Sequence, residues 1–298
     1  MAGAVVDTLV STMSNPFWKS FGIYLATDAL GFIISLTTGS HVHLDLVGSG
    51  AFTLAALPTL LSSAGGGGAG AAAAAVSTTQ FYSSLAVTLW STRLAGFLFY
   101  RATKVGHDMR LYDMLSNVPG MVQFWGITFL WNFFCAMPHN LGLLSSSSAA
   151  SDPIFLKTGG LVFGIGFIIE TVADLQKFFF KKSNPGKFCN IGLWSISQHP
   201  HYLGNLILWA GIFIMNIPGL IETPEATTTA TVTIWSKIWS YRKVFLSLLS
   251  PLFMWALFSG QAEGTATNAM QLASTKYGND PEYKRYLKQT AKIIPKIY

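Results

Sequence analysis

YLGNLILWAGIFIMNIPGL, residues 202–220, runs for nineteen residues without one Asp, Glu, Lys or Arg. A hydrocarbon core about 30 Å thick is crossed by roughly 20 apolar residues in a helix, so this stretch predicts a membrane span. The same criterion picks out segments near 17–37, 46–63, 81–100, 121–143, 155–174 and 244–260, which predicts about seven spans. The second is the least sharply bounded, because Pro58 and the Gly/Ala run from Gly65 to Ala75 blur its end. Composition agrees. Hydrophobic residues make up 51% of the chain and charged residues 11%, whereas a soluble domain carries about 25% charge to keep its surface wet. Nine Trp and 22 Phe suit helices that meet lipid tails and interfaces. The expected fold is an all-α polytopic transmembrane bundle, since only helices and closed barrels satisfy their backbone inside a bilayer.

Outside the spans, low-complexity linkers are expected near 62–79, 145–151 and 223–233, and no internal repeat breaks the chain. Residues 1–298 therefore read as a single membrane domain. Cys135 and Cys189 have no metal-ligand spacing and imply no disulfide framework, so no metal site is expected. Lys19 follows Phe17 and Trp18 with no small-residue cleavage site, and the first span is expected to serve as its own targeting signal.

Net charge is +6, and the cations are clustered. Arg101, Lys104 and Arg110 follow the third span; Lys177, Lys181, Lys182 and Lys187 follow the fifth. Lys276, Lys284, Arg285, Lys288, Lys292 and Lys296 lie in the tail. The intervening loops hold His41, His43 and Asp45, then Asp152, then Glu222 and Glu225. The positive-inside bias predicts a cytosolic C-terminus and a lumenal N-terminus, with the endoplasmic reticulum the expected membrane. Lys237, Arg242 and Lys243 run against this scheme, inside an aromatic stretch, Trp235 to Tyr241, suited to lying flat in the interface. The clusters abut apolar segments and form no nucleic-acid motif. Anionic headgroups or an anionic cofactor explain them better.

Charge inside a span is costly and marks function by default. Asp28, Arg93, Glu170 and Asp174 qualify. Glu170 and Asp174 are one helical turn apart and share a face, either as a snorkelling boundary cap or as a polar pocket. Arg93 needs a partner, and Glu170 is a suitable one. Asp28 and Arg93 read more readily as buried structural pairs than as reacting groups. Further on, Gly192-Leu193-Trp194-Ser195-Ile196-Ser197-Gln198-His199-Pro200-His201-Tyr202-Leu203-Gly204-Asn205 places two imidazoles and a phenol at the mouth of the sixth span. They either dock a polar ligand or solvate at headgroup level.

This stretch, with Ala173-Asp174-Leu175-Gln176-Lys177 before it, resembles the signature of the steroid 5-alpha-reductase C-terminal superfamily, in its DUF1295-like branch. Two more regions are similar: Arg93-Leu94-Ala95-Gly96 through Gly106-His107-Asp108-Met109-Arg110, and the tail Tyr277-Gly278…Tyr283…Tyr286…Ile294-Pro295. Asp45 to Ser49 is a fainter match. Residues 155–298 carry most of the pattern. The resemblance implies a membrane oxidoreductase that moves hydride from NADPH to a carbon–carbon double bond of a lipid or sterol-like substrate. By position it implies a cofactor site made by Asp174, Lys181, Trp194, His199, His201, Tyr202, Asn205, Tyr277 and Tyr283. There is no Gly-x-Gly-x-x-Gly unit after a strand, so any dinucleotide must sit among helices.

The departures from the pattern bear on activity. Gln198 replaces the pattern's Arg, His201 its Asn, and Asn205 its Glu. Trp90 stands where steroid 5-alpha-reductases have a proton-donating Tyr, and no catalytic residue is assigned. The His-Pro-Tyr core also occurs in isoprenylcysteine carboxyl methyltransferases, so S-adenosylmethionine-dependent methyl transfer to a lipid is the first alternative. An inactive lipid-binding protein is the second. The Ala-Asp-Leu-Gln-Lys segment and the Ile-Pro ending favour the reductase.

Overall fold

The computed structural model describes residues 15–64, 76–105, 115–145, 151–222, 234–265 and 269–297. Gly65 to Ala75, Gly106 to Arg110, Ser146 to Ser148 and Thr223 to Thr233 with Glu225 lie outside these residues, as do both chain ends. The described part is helical, with no strand and a single isolated bridge between Ser197 and Ala291. In order the helices are α1 (Pro16–Thr38), α2 (Leu44–Ala64), α3 (Thr78–Val105), α4 (Val118–Cys135), α5 (Met137–Gly142) and α6 (Pro153–Ser183). A 3-10 turn (Gly192–Ser195) leads to α7 (Pro200–Leu220), followed by α8 (Ile234–Ser240), α9 (Arg242–Ser247), α10 (Leu249–Glu263), α11 (Ala269–Tyr277) and α12 (Pro281–Gln289).

Local chemistry sets the boundaries. Asn15 caps α1 by accepting from the Phe17 amide at 2.9 Å, with Pro16 at the first helical position, where its missing N–H costs nothing. The helix ends on Gly39 at φ +62°. Asn117, Asp152 and Asp280 cap α4, α6 and α12 in the same way, each before a proline in the first turn.

Every predicted span falls on helix, and among the described residues five helical stretches are long and apolar enough to cross a bilayer: α1, α2, α6, α7 and the α9–α10 unit Arg242–Glu263. Helix α3, which holds the third predicted span, is less apolar because it turns Gln80, Ser83, Ser84 and Ser91 into the bundle. The fourth, expected as one helix over 121–143, breaks at Ala136, two residues before Pro138, and continues as α5. Proline cannot supply the amide that would carry the helix on. The fifth was expected to end near 174. It runs on to Ser183, so Lys177, Lys181 and Lys182 ride on the helix rather than in a loop. Its 31 residues extend about 46 Å at 1.5 Å per residue, well beyond the hydrocarbon. Arg101 and Lys104 likewise belong to α3. Asp45, grouped by sequence with the end opposite Arg101, lies 4.0 Å from it, so those two residues share one end of the bundle.

Two of the three cations that ran against the charge asymmetry have a local explanation. Arg242 forms an ion pair with Glu222, and Lys243 lies 2.9 Å from the same carboxylate. Trp235, Ile238 and Trp239 on α8 are exposed, as an interfacial helix requires.

The α6–α7 pair is the backbone of the bundle. Gly159 and Gly166 on α6 face Gly211 and Gly204 on α7, and the two main chains nearly touch there. Beside them lies an aromatic core. Phe52 sits 5.1 Å from Trp90, 5.1 Å from Trp131 and 5.6 Å from Trp209, mostly edge to face. Leu161, Ile165 and Ile168 on α6 and Leu25, Leu30 and Ile33 on α1 point outward, as lipid-facing residues do.

Candidate functional site

Three groups of sequence-selected residues gather at one end of the bundle. The first is ionic. Arg93 on α3 reaches Glu170 at 2.7 Å and Asp174 at 2.7 Å, one guanidinium bridging both carboxylates of the helical turn. Trp90 donates its indole N–H to Glu170 at 3.1 Å, and Asn205 on α7 donates its amide to the same oxygen at 3.0 Å. Glu170 is 3% exposed, so it is no snorkelling cap. The pairing of Arg93 with Glu170 expected from sequence is present. Asn205, placed where the family pattern has Glu, keeps its buried side-chain oxygen without a partner among the described residues. Gly204 makes this possible: a Cβ there would lie 2.5 Å from the Glu170 amide.

The second group is the turn before α7. Trp194 is buried and donates its indole to the Ala173 carbonyl at 2.9 Å. Gly192, at φ +55°, leaves the space that the Gln176 amide fills, and Gln176 accepts from the Leu193 amide at 3.0 Å. The Ala-Asp-Leu-Gln-Lys and Gly-Leu-Trp segments are thus two halves of one joint that docks the turn on α6. His199 stacks on Tyr202 at 5.0 Å and 10°, Tyr202 on Phe258 at 4.4 Å and 6°, and His201 on Trp194 at 5.2 Å. Lys177 lies 4.2 Å above the Trp194 ring.

The third group is the tail. Lys181 donates to the Tyr277 hydroxyl at 2.6 Å and to the Lys187 carbonyl. Phe188, which the sequence reading passed over, lies between Tyr277, Tyr283 and Tyr286 at 6.0, 5.1 and 5.4 Å. Its only signal was an aromatic residue standing in a basic loop. Tyr286 donates to the Trp194 carbonyl at 2.8 Å, joining the tail to the turn. Burial pushes the Tyr283 and Tyr286 phenols up, which keeps both as donors.

Gln198 changes meaning. Read from sequence, it was a lost guanidinium at a cofactor site. Its amide instead donates to the carbonyls of Leu287 at 3.1 Å and Thr290 at 2.6 Å, where α12 ends. Helix C-termini leave carbonyls that need donors, and position 198 supplies them. His201 makes ring contacts with Trp194, His199 and Tyr202.

Burial holds the His199 imidazole far below its ordinary 6.5, at about 3, and the charges of Lys177 and Lys292 push the same way. The native state therefore refuses a proton that the unfolded chain accepts. Stability from this residue is complete above pH 6.5 and falls as pH drops toward 3. By pH 5 the loss is about 2 kcal/mol, at 1.36 kcal/mol per pH unit. Melting temperature should fall between pH 7.5 and 5, and less so in His199→Phe, which keeps a ring in the stack. Identical pH dependence in the two proteins would exclude His199.

Helix bundle, outward apolar faces and a buried ionic site at one end define a polytopic membrane protein. The model described as "Protein of unknown function (DUF1295)" matches residues 31–242, and the chain belongs to that family. It is also similar to the "Probable O-methyltransferase ustE" of Ustilaginoidea virens, 32% identical over 113 residues, which is 37% of this chain and 35% of that protein. The chain thus matches about a third of the length of this curated relative. No solved structure matches.

Proposed function

We propose that this protein is a seven-span enzyme of the endoplasmic reticulum that reduces a carbon–carbon double bond of a lipid or sterol-like substrate with NADPH. In this reading the basic end faces the cytosol. The observation that carries it is the set of cations and aromatic faces at that end: Lys177 over Trp194, and Lys181 against Tyr277. NADPH carries a pyrophosphate and a further phosphate, for which lysines provide charge and aromatic rings provide stacking surface. S-adenosylmethionine carries a sulfonium and an ammonium against one carboxylate, and a lysine-rich end repels it. Asn205's unpartnered oxygen is an acceptor that the carboxamide of a nicotinamide would satisfy.

NADPH would supply the hydride. The chain would hold it with Lys181, Tyr277 and Tyr283 on the tail side and with Trp194, His199, His201 and Tyr202 around the turn. Asp174 and Asn205 would sit at the inner edge. Arg93 keeps the two carboxylates of α6 paired, and the stacked rings exclude water from the entrance.

Charge-assisted contacts contribute about 1.5–3 kcal/mol, so Lys181→Ala should weaken NADPH binding about tenfold or more. Lys181 also holds the tail through Tyr277. Tyr277→Phe is the control, because it loses the hydroxyl and keeps the charge. Unaltered affinity in Lys181→Ala removes that residue from the site. An equal loss in both variants assigns the effect to the Lys181–Tyr277 contact rather than to the lysine charge.

One observation favours a second reading, methyl transfer to a lipid: the relative with the matching segment is named as a probable O-methyltransferase. Binding of S-adenosylmethionine without NADPH would select it.

A further inference from the structure

Helix α1 turns Ser20, Tyr24, Asp28, Gly31 and Ser35 inward. Four of these are accounted for locally. Ser20 and Ser35 donate to carbonyls of their own helix at 3.1 and 3.0 Å. Tyr24 packs on Phe52 at 5.8 Å, and Gly31 makes room for Trp125. Asp28 is not. One of its oxygens accepts from the Asn132 amide of α4 at 3.2 Å. Its other oxygen and the Asn132 side-chain oxygen are both buried without a partner among the described residues. Asp28 is 4% exposed and Asn132 is fully buried. Among the described residues no cation pairs with Asp28.

A buried acceptor without a donor is costly in an apolar interior, and here a linked pair of residues has two. A ligand hydroxyl can donate to one of them and so lowers that cost. An ammonium would bring a charge and no lone pair. A hydroxyl brings one donor and two acceptor positions. The indole N–H of Trp131, the residue before Asn132, is also buried and unpartnered, a donor that a hydroxyl oxygen would accept. Trp131 packs on Phe52 and Trp90, and Trp90 donates to Glu170. A chain of aromatic contacts therefore links Trp131 to the ionic site.

We propose that Asp28 and Asn132 form a recognition point for the free hydroxyl of a lipid substrate, alcohol or phenol, between α1 and α4. The inference rests on the reading of the protein as a lipid-modifying enzyme and names the handle on its substrate. A hydroxyl held there anchors a reductase substrate, and it is equally the group an O-methyl acceptor must present.

The test is ligand-induced stabilisation of the purified full chain in detergent. A thiol-reactive dye follows unfolding through the buried thiols of Cys135 and Cys189. The probes are dodecanol and 4-dodecylphenol, each compared with its methyl ether, which keeps the shape and loses the donor. A ligand that binds only the folded state raises its melting temperature. The expected result is a rise of several degrees with at least one free hydroxyl compound, little or none with its ether, and a preference lost in Asp28→Leu and Asn132→Leu. Asp28→Asn keeps an acceptor oxygen and should retain part of the preference. Equal shifts from hydroxyl and ether, no shift from any probe, or a preference that survives in folded Asp28→Leu would overturn the proposal. If the leucine variants do not fold, the comparison in the parent protein and Asp28→Asn decides. NADPH binding is measured separately, so hydroxyl selectivity without nucleotide affinity would sink the reductase reading and leave this inference standing.

Discussion

Arg93→Leu is expected to destabilise the protein by about 3–5 kcal/mol, because it strands two carboxylates that are otherwise bridged by one guanidinium. Glu170 and Asp174 each lie 2.7 Å from Arg93, and their side chains are 4% and 12% exposed. Among the described residues, Trp90 and Asn205 would be left as the donors to Glu170, two neutral groups facing a buried charge. Arg93→Lys should recover part of the loss, since an ammonium cannot bridge two carboxylates in fork geometry. Glu170→Gln combined with Arg93→Leu should be milder than Arg93→Leu alone, because it removes one stranded charge. Thermal unfolding of the three variants measures this. Near-parental stability in Arg93→Leu would mean that the ion cluster is not structurally important.

A comparable effect is expected from Gly166→Val. A Cβ at Gly166 would lie 2.3 Å from the Leu208 amide nitrogen and 2.6 Å from the Gly204 carbonyl oxygen, both main-chain atoms that cannot turn aside. The two helices must separate, at about 3 kcal/mol or more given the usual range for overpacking. Asn205 would be drawn away from Glu170 with them. Gly160, six residues before it on α6, provides the control: nothing lies within 4 Å of a Cβ there. Gly160→Ala should be neutral or slightly stabilising, because alanine is the better helix former. Similar melting temperatures for Gly166→Val and Gly160→Ala would contradict close α6–α7 packing.

The helices were legible because a bilayer demands long apolar runs, and residues 202–220 meet that demand without ambiguity. What the runs contain is harder to read. Hydropathy marks α3 as less apolar but does not say that Ser83, Ser91 and Arg93 face inward. Pro138 was visible, yet the break at Ala136 depends on how α5 packs, and all six α5 residues are buried. The end of α6 was placed too early because lysines read as loop, although a helix longer than the hydrocarbon can carry them into water. At the site, the Arg93–Glu170 pairing followed from electrostatics alone. The use of Gln198 did not, because its partners, the carbonyls of Leu287 and Thr290, lie about ninety residues away and leave no trace in side-chain type. The Asn205–Glu170 bond was hidden for the same reason: each residue reads separately as a polar intruder, and only the glycine seam brings them together.

The central claim is that the basic end of this bundle binds a polyanionic dinucleotide. Calorimetric titration of the purified chain in lipid nanodiscs with NADPH, and separately with S-adenosylmethionine, tests it most directly. The account predicts saturable NADPH binding that weakens as salt screens the lysines, falls about tenfold or more in Lys181→Ala, and has no counterpart with S-adenosylmethionine. Saturable binding of S-adenosylmethionine, with NADPH giving no heat above dilution, would contradict it.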